Sequence, residues 1–335
     1  MNRAGELSLS IERTAPEGFV ALAGRTRFVR GAARYRRADL GAQLARFAAP
    51  SFVVARRADA VLGGCVLDRR RLSLGGQPVQ GLYRALLGVH PECRGQGVGR
   101  AVVGAAFAEA DRLAAQQGLP VLSYGCVDRT NAASLALLRS RGARARGQLA
   151  PALIYRQWPR SRLSLQRAEP SARRACDALI AASEADCSLR DVSDSHAPGW
   201  CWQDARGPAI VADAAVSTLS FDTLGPLNDR WVAALVSPFG FARRRFDPAA
   251  FRYLRLSSVG VRVGAEGRWT AFLDSLLRSH DCHYAMLVID PGRSLAARLR
   301  LARSAGTLQL MSRWHGSMPP AEPAPGPIAV HPVDI

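Results

Sequence analysis

The stretch Val89-His90-Pro91-Glu92-Cys93-Arg94-Gly95-Gln96-Gly97-Val98-Gly99-Arg100 constrains this chain more than any other. An apolar run, Leu82–Val89, leads into it. Arg100–Gln117 follows, with apolar residues at Val103, Phe107, Ala110 and Ala114, the spacing of a helix. The reading is strand, glycine loop, helix. Glycines at 95, 97 and 99 allow positive φ and a close backbone approach to a ligand. The free N–H groups of a helix start, reinforced by the helix dipole, make an anion cradle suited to a pyrophosphate. The alternating glycines do not have the G-x-G-x-x-G spacing of a dinucleotide fold. A Walker loop needs a lysine, and the 335-residue chain has none.

The elements around this loop predict an α/β fold. Leu7–Arg13 reads as a strand, and Pro16 suits the first turn of a helix running to about Gly24. Arg34–Phe47 reads as a second, arginine-rich helix ending before Pro50. Ser51–Ala55 and Val61–Leu67 read as a hairpin turning at Arg57-Ala58-Asp59. Val121–Val127 is a strand, Ala132–Arg141 a helix closed by Gly142, and Ala150–Gln157 a last strand.

After Trp158–Arg162 the pattern restarts. Leu9-Ser10-Ile11, Arg13 and Pro16 are echoed by Leu163-Ser164-Leu165, Arg167 and Pro170, and Arg94 and Gly99-Arg100 by Arg262 and Gly267-Arg268. Each loop sits between a strand (Leu82–Val89; Phe251–Val259) and a helix, and each helix precedes a strand ending in Asp (Val121–Asp128; Tyr284–Asp290). This is read as an internal duplication of one fold. It divides the chain at 1–158, 159–318 and a Pro-rich tail, 319–335, expected to be disordered.

Nearly half the residues are apolar, enough for a sizeable core. No run has the length of a membrane span, and the first residues do not read as a secretory signal, so a cytoplasmic protein is expected. Seven cysteines without a C-x-x-C pair argue against a disulfide framework or a metal site. The formal charge of +18 would suit nucleic acid, but the arginines spread along the whole chain. Short clusters (Arg69–Arg71, Arg243–Arg245) come without an aromatic RNA-binding signature or helix-turn-helix, so nucleic acid is not an expected partner. A positive surface favours a polyanionic cofactor.

Over Leu82–Ala143 the sequence resembles the GNAT superfamily of N-acetyltransferases. Its signature, [Q/R]-x-x-G-x-[G/A] between strand and helix, is met by Arg94, Gly97 and Gly99, and its second element by Asn131 opening a helix that Gly142 closes. The resemblance implies a GNAT fold, a mixed central sheet with flanking helices, here duplicated. Acetyl-CoA is the implied co-substrate, with no metal. The backbone of Leu87, Gly88 and Val89 would pair with the pantetheine arm. The N–H groups of Gly95, Gln96, Gly97, Val98, Gly99 and Arg100 would hold the pyrophosphate. Asn131 would hydrogen-bond near the pantetheine where two parallel strands splay, although an N-cap role fits it equally. Arg94 and Arg100 would neutralise phosphate charge, with a solvated helix face the plain alternative for Arg100.

The implied activity is transfer of an acyl group to a primary amine by direct attack on the thioester, with the Val89 N–H on the developing oxyanion. Two departures bear on it. The family's acid, a Tyr seven residues after the Asn, is here Leu138, and the strand Leu82–Leu87 carries no carboxylate to serve as base. Tyr124 and Ser134 are the nearest polar candidates for proton delivery, Cys126 a third, and Tyr83 is placed to touch substrate; Tyr124 reads equally as a core aromatic. These departures keep a second reading open, a non-catalytic acyl-CoA-binding regulatory protein. In the second copy Ala265 replaces a loop glycine and Glu266 puts negative charge in the cradle, while Arg293-Ser294 lies where the Asn would be. That copy reads as degenerate, shaping a substrate cleft. The acceptor, a small amine, amino acid, peptide N-terminus or antibiotic, is left open.

Overall fold

The computed structural model describes residues 6–30, 33–156, 162–193, 199–225, 246–301, 307–316 and 325–330. The first half runs β1 (Leu7–Glu12), α1 (Glu17–Arg25), β2 (Phe28–Arg30), β3 (Ala33–Arg37), α2 (Leu40–Leu44), β4 (Pro50–Arg57), β5 (Ala60–Leu74), β6 (Gln77–Val89), α3 (Val98–Gln117), β7 (Val121–Asp128), α4 (Ala132–Ser140) and β8 (Arg144–Tyr155). The second runs β9 (Gln166–Arg167), α5 (Pro170–Ser183), β10 (Leu189–Asp191), β11 (Gly199–Asp204), β12 (Gly207–Thr223), β13 (Phe251–Val261), α6 (Trp269–Ser279), β14 (Tyr284–Ile289), α7 (Ser294–Arg298), β15 (Leu308–His315) and β16 (Ile328–Ala329). Among the described residues both halves run strand, helix, a block of strands, helix, strand, helix and strand, with α2 added in the first and β16 in the second, so the fold is duplicated.

Among the described residues sixteen strands join in one mixed sheet. Strand alternation sorts its two faces. Phe52 and Val54 of β4 pack with Phe19 and Ala23 of α1, while Val53 and Ala55 pack with Val102, Ala106, Ala110 and Leu113 of α3. Each such large buried side chain contributes roughly 1.5–3 kcal/mol.

The halves exchange their last strands. The path through the middle of the sheet is β6-β7-β15-β8-β14-β13. Strand β15 lies between β7 and β8, antiparallel to both, and β8 pairs with β14 of the second half. The core follows the exchange, since Leu308, Leu310 and Leu189 pack in one cluster with Phe19, Val54 and Tyr124. The expected junction at 158–162 lies outside the described residues except for Arg162, as does the Arg243–Arg245 cluster.

Two expectations are corrected. Arg34–Phe47 is not one helix; it is β3 followed by the five-residue α2. Tyr35 and Arg37 point inward and Arg34 and Arg36 outward, a period of two. The strand forms because β12 supplies a partner more than 180 residues away, Leu219↔Arg37 and Phe221↔Tyr35. In the tail expected to be disordered, residues 328–330 are buried. There β16 pairs with β10, and the absent side chain of Gly147 leaves room for Ile328.

His315 of β15 ties the second half to the first. It is buried, its Nδ1 2.8 Å from Asp111 Oδ1 of α3 and its Nε2 2.8 Å from Ser123 Oγ of β7. Burial pushes its pKa below the usual 6.5, outweighing the Asp111 carboxylate. Below pH 6.5 the unfolded chain therefore takes up the proton first, and stability falls with pH through that window. Urea unfolding at pH 7.5 and 5.5 should show this loss in the wild type and a smaller one in His315→Gln.

Candidate functional site

Strands β6 and β7 run parallel and pair over only four positions, Gln80↔Val121 to Tyr83↔Tyr124. Beyond them β6 bulges. Against β5 the register passes from Val66↔Ala85 to Gly64↔Gly88, so Leu86 and Leu87 oppose Cys65 alone. Leu86 takes φ +52°, unusual for a side chain of its size. Gly125 is the last close approach of the two strands, where a Cβ would stand 2.8 Å from the Arg84 carbonyl oxygen. The strands then separate, their pairing having ended at Tyr83↔Tyr124. The His90 N–H turns to the Leu62 carbonyl of β5 at 2.8 Å. Alternation therefore turns the Val89 N–H the other way, into the opening.

The glycine loop lies at the mouth of this opening. Pro91–Cys93 form a single 3-10 turn. Gly95 and Gly97 follow with φ of +77° and +83°, their Cα positions facing open space. The first bond of the α3 ladder runs from Ala101 N–H to the Gly97 carbonyl, so the N–H groups of Val98, Gly99 and Arg100 stand ahead of it. The first turn has no acidic residue. Arg94 and Arg100 are exposed beside it, and Gln96 folds its amide onto the Glu92 carbonyl at 2.7 Å. Gly99 sits close to Val89 and Leu137, joining α3, β6 and α4. These residues come together as one concave run of backbone donors with two cations at its rim, which suits a pyrophosphate.

Asn131 is the N-cap of α4, its Oδ1 accepting from Ser134 N–H at 3.1 Å. It opens α4 just past the end of β7. Ser134 is half-buried in the same turn. Leu138, at the family's acid position, lies in an apolar cluster with Val103, Phe107, Leu135 and Met311. Arg84 reaches from β6 over Gly125 of β7, its Nη2 3.5 Å from the Met311 carbonyl oxygen of β15 and its guanidinium 4.8 Å from the Phe107 ring centre. Burial draws its pKa down to about 10. Burial also pushes Cys65 and Cys126, which flank it, up to about 12, so both remain thiols. Sequence reading missed Thr26, whose Oγ1 lies 2.9 Å from where a Gly88 Cβ would be. Nothing in the sequence marks it, because only the fold lays the end of α1 over the bulged strand.

Tyr83 and Tyr124 pack with tilted rings under the point where the strands part, ring centres 5.2 Å apart. Tyr124 is 1 % exposed, and its hydroxyl faces Asp191 Oδ2 at 3.5 Å. Burial, then the Asp191 charge, holds its pKa well above the usual range. Arg70 completes the cluster, 2.6 Å from Asp68 and 3.6 Å from Asp191. In this arrangement Tyr124 is a core aromatic with a polar tip, turned away from the opening.

The second loop differs in kind. Glu266 takes the Gly264 N–H on its own carboxylate at 2.7 Å and pairs with Arg298 of α7 at 2.6 Å. Burial opposes ionisation, but the backbone and Arg298 hydrogen bonds prevail and hold the carboxyl below its usual range. This loop carries its own anion.

Residues 22–143 match the acetyltransferase (GNAT) family. No curated protein matches the chain by sequence. Among solved structures it is similar to Saccharomyces cerevisiae N-myristoyltransferase with bound myristoyl-CoA, at 7 % identity and TM-score 0.62, covering 98 % of this chain and 86 % of that one. It is also similar to a GCN5-related N-acetyltransferase from Anabaena variabilis, at 13 % identity and TM-score 0.53, covering 91 % and 72 %. These likenesses are likenesses of fold. No helix among the described residues is long and apolar enough to cross a membrane. The match to the acetyltransferase (GNAT) family thus lies within residues 22–143, in the first half of a chain whose fold is duplicated.

Proposed function

We propose that the chain is an acetyl-CoA-dependent N-acetyltransferase whose first half carries the site. The observation that supports this most is the meeting of the β6–β7 opening with the uncapped start of α3 at a loop whose glycines, Gly95 and Gly97, face open space. The N–H groups of residues 95–100 would hold the pyrophosphate, with Arg94 and Arg100 at its rim, and the backbone of 87–89 would pair with the pantetheine arm. The bound acyl-CoA supplies an activated acyl group. The bound myristoyl-CoA of the yeast neighbour is in keeping with an acyl-CoA ligand.

The protein's part in the chemistry is largely positional. The Val89 N–H is aimed to stabilise charge developing on the thioester oxygen, an effect worth about 3 kcal/mol for one such donor. Proton handling is sparse. Leu138 offers no acid, Tyr124 is buried away from the opening, and Cys126 holds its proton too tightly to release it near neutral pH. As the N–C bond forms and the C–S bond breaks, the amine proton passes to solvent, and the coenzyme A thiolate leaves without a protein acid, taking its proton from solvent. The same sparseness favours the second reading, a non-catalytic acyl-CoA-binding protein. Thiol release from acetyl-CoA over a panel of primary amines separates the two. Release above hydrolysis for at least one amine class is expected. Tight acetyl-CoA binding with no release across the panel would establish the second reading instead.

A further inference from the structure

Three arginines meet where the first half's β2–β3 hairpin crosses the second half's sheet. Arg37 of β3 and Arg255 of β13 are each 5 % exposed. Arg46, after α2, anchors to Ser217 Oγ at 2.8 Å and to the Val216 carbonyl at 2.6 Å. Facing them is the carboxylate of Asp39, 3.7 Å from Arg46. Arg255 is held down to about 10, first by burial and then by the charge of Arg46, with Arg37 adding to it and Tyr253 and Asp39 opposing. Arg37 contributes the key observation. Its Nε and Nη2 are buried without a hydrogen-bond partner, and its guanidinium lies 5.3 Å from the Phe28 ring centre. A buried guanidinium with idle donors is costly, and a cluster of like charges more so. Such a site persists where an anion completes it.

Position says which anion. Phe28 packs both on the core holding Tyr83 and Leu86 and on the aromatic cluster of Tyr35, Phe251 and Tyr253. Two residues earlier, Thr26 lies on Gly88. The segment 26–28 therefore links the proposed thioester strand to Arg37. Arg46 and Asp39, 15 % and 17 % exposed, form the solvent side of the cluster. We propose that Arg37, backed by Arg46 and Arg255, binds the carboxylate of the acyl acceptor, making the acceptor an amine that carries a carboxylate. The guanidinium fork suits a carboxylate in bidentate geometry. The proposal rests on the acyltransferase reading above.

The test is thiol release from acetyl-CoA with matched probes: α-amino acids and ω-amino acids from glycine to 6-aminohexanoate, each beside its carboxamide. For at least one acid KM should be at least tenfold below that of its amide. Arg37→Gln should collapse that ratio to within about twofold, because a single charge-assisted hydrogen-bond pair is worth about tenfold or more. Equal KM values for acids and amides, or a ratio unmoved by the variant, overturns the site. Without ligand Arg37→Gln should also melt higher than wild type, since it removes an unpaired buried cation; a lower melting temperature indicates a structural arginine and counts against the proposal. If acetyl-CoA binds yet no amine gives release, the acyltransferase reading fails separately. Calorimetry of the acids and amides on the acetyl-CoA-bound chain then decides the carboxylate site, which stands if acids alone bind and falls if neither or both do.

Discussion

Replacing Arg70 by Met should cost the fold about 3–5 kcal/mol, the range for removing one partner from a buried ionic group. Arg70 is the cation between two buried carboxylates, Asp68 at 2.6 Å and Asp191 at 3.6 Å. Asp68 is 0 % exposed and Asp191 7 %. The Met side chain fills the volume of the arginine stem but leaves both carboxylates uncompensated. The cluster also joins the halves, because Asp191 lies on β10, which pairs with β5 at Leu72. The pH dependence identifies the cause. Burial raises the Asp68 pKa even with Arg70 beside it, and without Arg70 the rise is larger. A carboxyl whose pKa is raised on folding favours the folded state when protonated and opposes it as pH rises through the folded value. The gap in urea midpoint between wild type and Arg70→Met should therefore narrow from pH 7.5 to pH 5. The triple variant Asp68→Asn, Arg70→Met, Asp191→Asn should recover much of the loss. A gap that is constant with pH would mean the cost is one of packing alone.

Gly97→Glu should abolish acetyl-CoA binding while Gly97→Ala weakens it far less. Both variants place an L side chain at φ +83°, a strain of about 1–2 kcal/mol. A Cβ there meets nothing within 4 Å, so neither clashes with the fold. The difference is charge. A carboxylate about 4 Å from a phosphate oxygen repels it by about 4 kcal/mol at an effective dielectric of 20, a loss on the order of several hundredfold in affinity. The second half shows the same device in place, with the Glu266 carboxylate seated on the Gly264 N–H and held by Arg298. Equal affinities for the two variants, measured by calorimetry, would move the pyrophosphate away from this loop.

The strand–loop–helix unit was legible because its geometry is local. Glycine spacing and a helical stripe in 98–117 need no distant partner to form. Asn131 was legible for the same reason, as an N-cap ahead of an apolar helix. What the sequence hid was non-local. Arg34–Phe47 carries good helix formers and becomes a strand only because β12 offers an edge. The exchange of β8 and β15 leaves no trace in the sequence, since nothing within a strand names the neighbour it pairs with. Tyr124 sits in a strand pattern that fixes its face but not what lies across it, and Asp191, which meets it, comes from the other half. The arginine cluster of 37, 46 and 255 was invisible in a chain whose arginines occur everywhere.

Isothermal titration of the full chain with acetyl-CoA bears most directly on the claim that the first half alone is built to bind it. One equivalent per chain is expected, lost in Gly97→Glu and retained in Glu266→Gln. No binding to the folded chain, or two equivalents per chain, would contradict it.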